Sequence, residues 1–377
     1  SDFGWTLGAK PGANGAFSDY VTEAFFDELR VYPALLTTGD MTHLFNLIRP
    51  TIYADSSTAT VRPAVKAAVG WQISALAEGG TLYAAVNGVL MSRSSSNGSW
   101  SSVSDIGLDA ASLFADNGTL YAVGRDHDGN LALAKTVFGG AMTWTTPSVI
   151  GDGLQVPNLV STRPIAVNGR VWLGAPAQGA WDMSLVSFSF ANGEAGDPQV
   201  SRALIPCRSG TTLQSHVEVT CVQALEQAGG VFVLGASMRS APERGEAFVT
   251  ARQNAGSSTL ATYAGTYGFT GGSKPFGIVW DATSGRYWMT TAACHCKDWT
   301  NVSPFLKATA IALYSSPDLA DWTYHGDFTA SGATYYYRPT PVAVGNDLVV
   351  TFAAERYAET PQSLVVSNFR SLWNKDA

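Results

Sequence analysis

Residues 163–174 read RPIAVNGRVWLG, two short apolar runs hinged on Asn168-Gly169. Asn-Gly between such runs is a strong local hairpin signal, because both central positions of the tight turn need a left-handed backbone. Downstream, Ser184–Phe190 and Gln199–Ile205 read as two further strands, so residues 163–205 form one four-strand unit: A (163–167), B (170–174), C (184–190) and D (199–205). The same turn chemistry recurs at Gly79-Gly80, Asn117-Gly118, Gly229-Gly230, Ser284-Gly285 and Gly345-Asn346, and each turn opens a strand like Thr81–Val86 or Thr119–Val123. Successive turns lie 38, 51, 61, 55 and 61 residues apart.

Four-strand units of about 40 to 60 residues with periodic glycine and aromatics are the signature of a β-propeller. The sequence therefore predicts an all-β chain with six blades, five or seven being the alternative counts. In the sixth unit Arg338–Val344, Asp347–Ala353 and Ser363–Phe369 supply three strands and leave only Ser371–Ala377. A strand from Leu44–Tyr53, within residues 44–55, is expected to complete that blade, and closure of this kind removes exposed sheet edges. Residues 44–377 are thus one propeller domain. Residues 1–43 form an extension in which Ser18 caps a short helix with Val21, Phe25 and Leu29 on one stripe.

The chain has 377 residues, of which 14% are charged and 46% hydrophobic, with 11 Trp and a net charge of −7. So few charges exclude a disordered chain, and the acidic balance without any Lys/Arg run excludes a nucleic-acid surface. No apolar stretch approaches the roughly 20 residues that span a bilayer, so the chain reads as soluble. Low charge, abundant Trp and the tripeptides starting at Asn97, Asn117 and Asn301 point to an extracellular, secreted protein. Cys207, Cys221, Cys294 and Cys296 permit three disulfide connectivities, while Cys294-His295-Cys296 is too tight for a zinc half-site.

Ser315-Ser316-Pro317-Asp318-Leu319-Ala320-Asp321-Trp322 resembles the Asp-box turn, Ser-x-Asp followed by Trp, of sialidases and related glycan-active propellers. Ser94–Trp100 and Ser367–Trp373 echo it after the third strands of their units. Arg163-Pro164 and Arg338-Pro339 look like the arginines that sialidase-like enzymes aim at a substrate carboxylate. The family's Arg-Ile-Pro entry motif and acid/base Asp have no counterpart here, so the catalytic candidates rest on the residues themselves. Ser316, Asp318 and Trp322 are read as a folding device, since such turns bond their own backbone.

In a blade, strand A begins on the end that also carries the B–C loops, whereas the A–B turns lie at the opposite end. The first end gathers Asp109, Arg163, His216, Glu218, Lys274 and Arg338, with Trp181, Arg239, Arg244, Trp299 and Glu355 on its loops. Arg163 and Arg338 are expected to converge on the axis and hold a carboxylate in their guanidinium forks. His216 and Glu218, at i and i+2 on one strand, share a side and suit a base with its supporting carboxylate. Glu355 and Tyr337, beside Arg338, suit a Tyr nucleophile with a Glu base. Lys274, Asp109, Arg239 and Arg244 would add polar contacts, and Trp181 and Trp299 would stack on sugar rings. Asp126-His127-Asp128-Gly129-Asn130 begins like a calcium loop but lacks its later Glu, so it is read as a B–C turn; no cofactor is called for beyond a structural calcium. The partner expected is an acidic glycan. The leading reading is an exo-acting glycoside hydrolase; a lyase acting next to a uronate with a His or Tyr base, and a non-catalytic glycan-binding propeller, are its rivals.

Overall fold

The computed structural model describes residues 61–62, 73–86, 88–93, 100–151, 163–176, 182–204, 217–227, 230–239, 246–254, 262–268, 276–293, 309–329, 336–353 and 361–372, in places by backbone alone. A short strand, β1 (Val61–Arg62), comes first. The first consecutive sheet is β2 (Ile73–Glu78), β3 (Thr81–Val86), β4 (Val89–Arg93) and β5 (Ser101–Asp105). The second is β6 (Asp109–Asp116), β7 (Thr119–Arg125), β8 (Leu131–Val137) and β9 (Ser148–Val149). The third is β10 (Ile165–Val167), β11 (Arg170–Pro176), β12 (Asp182–Ala191) and β13 (Glu194–Leu204). The fourth is β14 (Val217–Gln227), β15 (Gly230–Arg239), β16 (Glu246–Asn254) and β17 (Thr262–Gly268). The fifth is β18 (Phe276–Asp281), β19 (Arg286–Ala293), β20 (Ala310–Ser316) and β21 (Thr323–Phe328). The last sheet orders β1-β24-β23-β22, with β22 (Tyr337–Val344), β23 (Asp347–Ala353) and β24 (Pro361–Ser367). All described pairings are antiparallel, and the one described helix is a short 3₁₀ turn at Phe369–Leu372.

The third sheet reproduces the four-strand unit read from residues 163–205, its A–B turn falling at Asn168-Gly169. In the last sheet an N-terminal strand does fill the fourth position, pairing Val61 with Val366 and Arg62 with Val365. Residues 44–53, read from the sequence as that strand, lie outside the described residues, as does the helix expected within residues 1–43.

Each sheet buries its faces against its neighbours, which is why so little charge is tolerated. The whole of β20, AIALYSS, is buried, so apolar and small polar residues replace the usual in-out alternation. Leu76 and Leu90 of the first sheet pack with Leu113 and Leu120 of the second. Phe114 and Leu133 meet Val171 and Phe188 at the next seam, and β11 packs on β14. Leu225 joins Ile278 and Met289, and Trp288 joins Leu348 and Phe369. The series closes where Leu82 and Val86 pack against Val342 and Val349. There the Trp100 indole also donates to Ser363 Oγ at 3.0 Å, across 263 residues of chain.

Candidate functional site

The starts of two inner strands share one irregularity. In β22 the pairing jumps from Tyr337↔Ala353 to Thr340↔Thr351, and in β6 from Asp109↔Arg125 to Ser112↔Val123, so each inner strand bulges by one residue. Arg338 and Ala110 occupy the same place in these bulges, with φ of 51° and 53°. A left-handed backbone costs a residue with a Cβ about 1–2 kcal/mol, and such strain persists only where surrounding contacts impose it. Around Arg338 those contacts are visible. Thr290 Oγ1 donates to the Pro339 carbonyl at 3.2 Å, and Thr340 Oγ1 to the Arg338 carbonyl at 3.4 Å. Opposite stands Gly277, where a Cβ would lie 2.6 Å from Pro341 Cδ and 2.8 Å from the Pro339 oxygen. Only glycine admits this approach of β22 to β18.

Arg163 does not occupy the equivalent position. Val344 and Val167 each pair with the first residue of the following strand; counted back from them, Arg338 lies six residues away and Arg163 four. Allowing for the bulge, Arg163 sits one to two residues nearer the A–B turns, or about 3–7 Å along the strand. It faces a cavity of about 680 Å³ whose lining includes Glu226, Trp280, Tyr287 and Asp318 but not Arg338. The sequence placed Arg163 with Arg338 because both precede proline; register separates them.

Arg163 is exposed at the cavity and makes no hydrogen bond or ion pair with the described residues. Trp280 is 47% exposed and its ring leans on Tyr287, 4.6 Å between centroids. Tyr287 Oη donates to the Glu226 carbonyl at 2.6 Å, and burial together with the Glu226 charge raises the phenol's pKa. Asp318 belongs to the turn after β20. Its Oδ1 accepts from the backbone N–H groups of Asp321 at 2.8 Å and Ala320 at 2.9 Å and from Ser316 Oγ at 3.1 Å. Ser316 Oγ accepts from Leu319 N at 2.8 Å, and Leu319 carries a φ of 66°. Backbone hydrogen bonds from Asp321 come first among the effects that hold the Asp318 carboxyl below its ordinary pKa. The carboxylate thus bonds the backbone of its own turn. Beneath it, buried Arg286 donates to Ser315 Oγ at 3.2 Å and feels the Asp318 charge.

Other candidates fall as follows. Asp109 is exposed at the start of β6 in register with Arg125. Tyr337, Glu218 and Arg239 lie on β22, β14 and β15, described by backbone only, with Glu218 opposite Met238 and Arg239 opposite Val217. His216, Lys274, Arg244, Trp181, Trp299 and Glu355 lie outside the described residues, as do Cys207, Cys294 and Cys296. The loop after β7 is a closed turn. Asp126 Oδ1 accepts from Asp128 N at 3.0 Å and Asn130 N at 2.8 Å, and Asn130 Nδ2 donates to Oδ2 at 3.1 Å. Bonding by Asn130 lowers the Asp126 pKa, and the carboxylate is spent on its own backbone. No group of three or more metal-ligating side chains occurs among the described residues. No described helix is long and apolar enough to cross a membrane.

Sequence reasoning missed Trp280, Tyr287 and Glu226. FGIVWD of β18 carries no such signal, because Ile278, on the same side of the strand as Trp280, is buried while Trp280 is exposed.

Four-stranded antiparallel sheets packed in a closed series make this a β-propeller, and its likeness is to the sialidase type. A sialidase from Trypanosoma rangeli bound to the inhibitor DANA superposes with a TM-score of 0.55 at 10% identity, covering 82% of this chain and 56% of that one. Another structure of that sialidase gives 0.54 at 11% identity, with coverage of 82% and 56%. A mutant of it displaying trans-sialidase activity gives 0.53 at 11%, covering 84% and 60%. The chain thus spans little more than half the length of these neighbours. No protein family and no curated protein sequence matches it.

Proposed function

We propose that the chain is a secreted, six-bladed carbohydrate-active propeller, an exo-acting glycoside hydrolase on an acidic glycan bound where the inner strands begin. The observation that carries this reading is Arg338, held at φ 51° in the bulge of β22. An arginine kept in a costly backbone conformation at a strand start is the kind of residue whose strain serves function rather than folding. In this reading Arg338 takes the substrate carboxylate as a bidentate fork, and Tyr337 with Glu355 supplies the nucleophile and its base. His216 and Glu218 act on the proton of the leaving group. Asp109, at the matching bulge of β6, and Lys274, Arg239, Arg244, Trp181 and Trp299 complete the glycan contacts. Arg163 is omitted from this set because its register turns it toward the other end. The sialidase-like fold supports the substrate class by analogy alone.

The test is release of free sugar from fluorogenic sialosides and uronosides. Tyr337→Phe and Glu355→Gln should each lower kcat about 100-fold or more, the usual weight of such groups. A product absorbing near 235 nm with no free sugar would mean elimination instead. Wild-type turnover in both variants would overturn the catalytic assignment.

A further inference from the structure

The cavity beside the A–B turns is a second site, and its lining differs in kind from the strand-start end. Arg163 and Glu226 contribute one charge of each sign, and the charge of Asp318 is answered from beneath by Arg286. An anion drawn to Arg163 is therefore opposed by Glu226, and a cation by Arg163. An uncharged polyol suffers neither opposition: its hydroxyls accept from the guanidinium and donate to the carboxylate. Trp280 adds an open aromatic face, fixed by Tyr287, whose own hydroxyl is tied to the Glu226 carbonyl. A flat, half-open indole with polar groups around it matches the apolar C–H face and polar edge of a pyranose ring. The volume, about 680 Å³, lies in the range of built ligand pockets.

We propose that this cavity binds an uncharged pyranose, stacked on Trp280 and hydrogen-bonded between Arg163 and Glu226. It would serve as a carbohydrate subsite separate from the acidic-glycan site. The inference does not depend on the hydrolase reading, since none of these residues takes part in it.

The test is calorimetric titration of the full chain with lactose, cellobiose and maltose, and with glucuronate and N-acetylneuraminate as acidic probes. At least one neutral disaccharide should bind saturably, with an affinity unchanged within twofold between 50 and 500 mM salt (on the order of a threefold change in Debye length), because no net charge is engaged. Trp280→Ala should weaken that binding about tenfold and Trp280→Phe should restore part of it. Arg163→Gln and Glu226→Gln should each weaken it about five- to tenfold. All three side chains face solvent or the cavity, and a melting curve for each variant verifies its fold. Arg338→Gln should leave this binding intact while removing turnover on acidic glycans, so the two readings fail separately. The proposal is overturned if no neutral disaccharide binds, if the acidic sugars at this cavity bind tighter and salt weakens them, or if Trp280→Ala binds like the parent chain.

Discussion

The A–B turns and the inner-strand starts of the propeller handle backbone strain differently. At the A–B end the strands turn through 79–80, 117–118, 168–169 and 345–346, two residues each, and through 282–285. Where these turns need a left-handed residue they use glycine or asparagine, as at Asn117 and Asn168, which accept that conformation cheaply. Side chains then tie the end down. Arg170 donates to the Asp197 carboxylate at 2.9 Å, and Arg370 clasps Asp281 through Nε and Nη2, both at 2.7 Å. At the opposite end two inner strands begin with Ala110 and Arg338 in that conformation, which neither accepts cheaply, beside glycines such as Gly88 and Gly107 that do. Held strain is where function concentrates. The A–B turns take their left-handed residues cheaply; the inner-strand starts do not, and neither does Leu319, at φ 66° in the turn after β20.

That contrast can be broken from the A–B end first. Asp281 is buried, and its partner Arg370 also donates to the Gly345 carbonyl at 2.8 Å, so the pair joins the fifth sheet to the sixth. Arg370→Ala leaves a buried carboxylate without its cation and should cost about 3 kcal/mol or more in chemical denaturation. Next is the close approach at Gly277, where alanine should cost about 1–3 kcal/mol, since the obstructing atoms are proline ring and backbone. A glycine to alanine change at Gly118, where nothing lies within 4 Å of the added carbon but φ is 74°, should cost about 1–2 kcal/mol from the left-handed backbone alone.

Acid should find the same clasp. Burial would raise the Asp281 carboxyl, but hydrogen bonds from Arg370 and Ser284 outweigh it and hold the pKa down to about 2. A carboxyl depressed from an unfolded value near 3.9 stabilises fully above that value and loses its contribution as pH falls toward 2. The contribution is about 2 kcal/mol, so the melting temperature should fall between pH 4 and pH 2. Asp281→Asn should flatten that part of the curve.

Much of this was legible in the sequence, and the failures have a physical pattern. Turn dipeptides act locally, so Asn168-Gly169 and Gly345-Asn346 located their hairpins, and β23 matches its expected span, Asp347–Ala353. Bulges are not local. Nothing in Tyr337-Arg338-Pro339-Thr340 announces that Thr340 pairs with Thr351 one residue out of step, because the cause lies in Gly277 and Thr290 of another sheet. For the same reason Arg163-Pro164 and Arg338-Pro339 look equivalent as words and differ as positions. The repeat of four-strand antiparallel units was readable; the exposure of Trp280, which depends on how three sheets leave a gap beside the turns, was not.

The central claim, that Arg338 is strained for function, is tested most directly by Arg338→Gly measured for stability and turnover together. Glycine adopts φ near 51° freely, so the variant should melt at or above the parent temperature, by up to about 1 kcal/mol of stability, while cleavage of acidic glycosides falls about 100-fold or more. A variant that is less stable yet fully active would contradict the account.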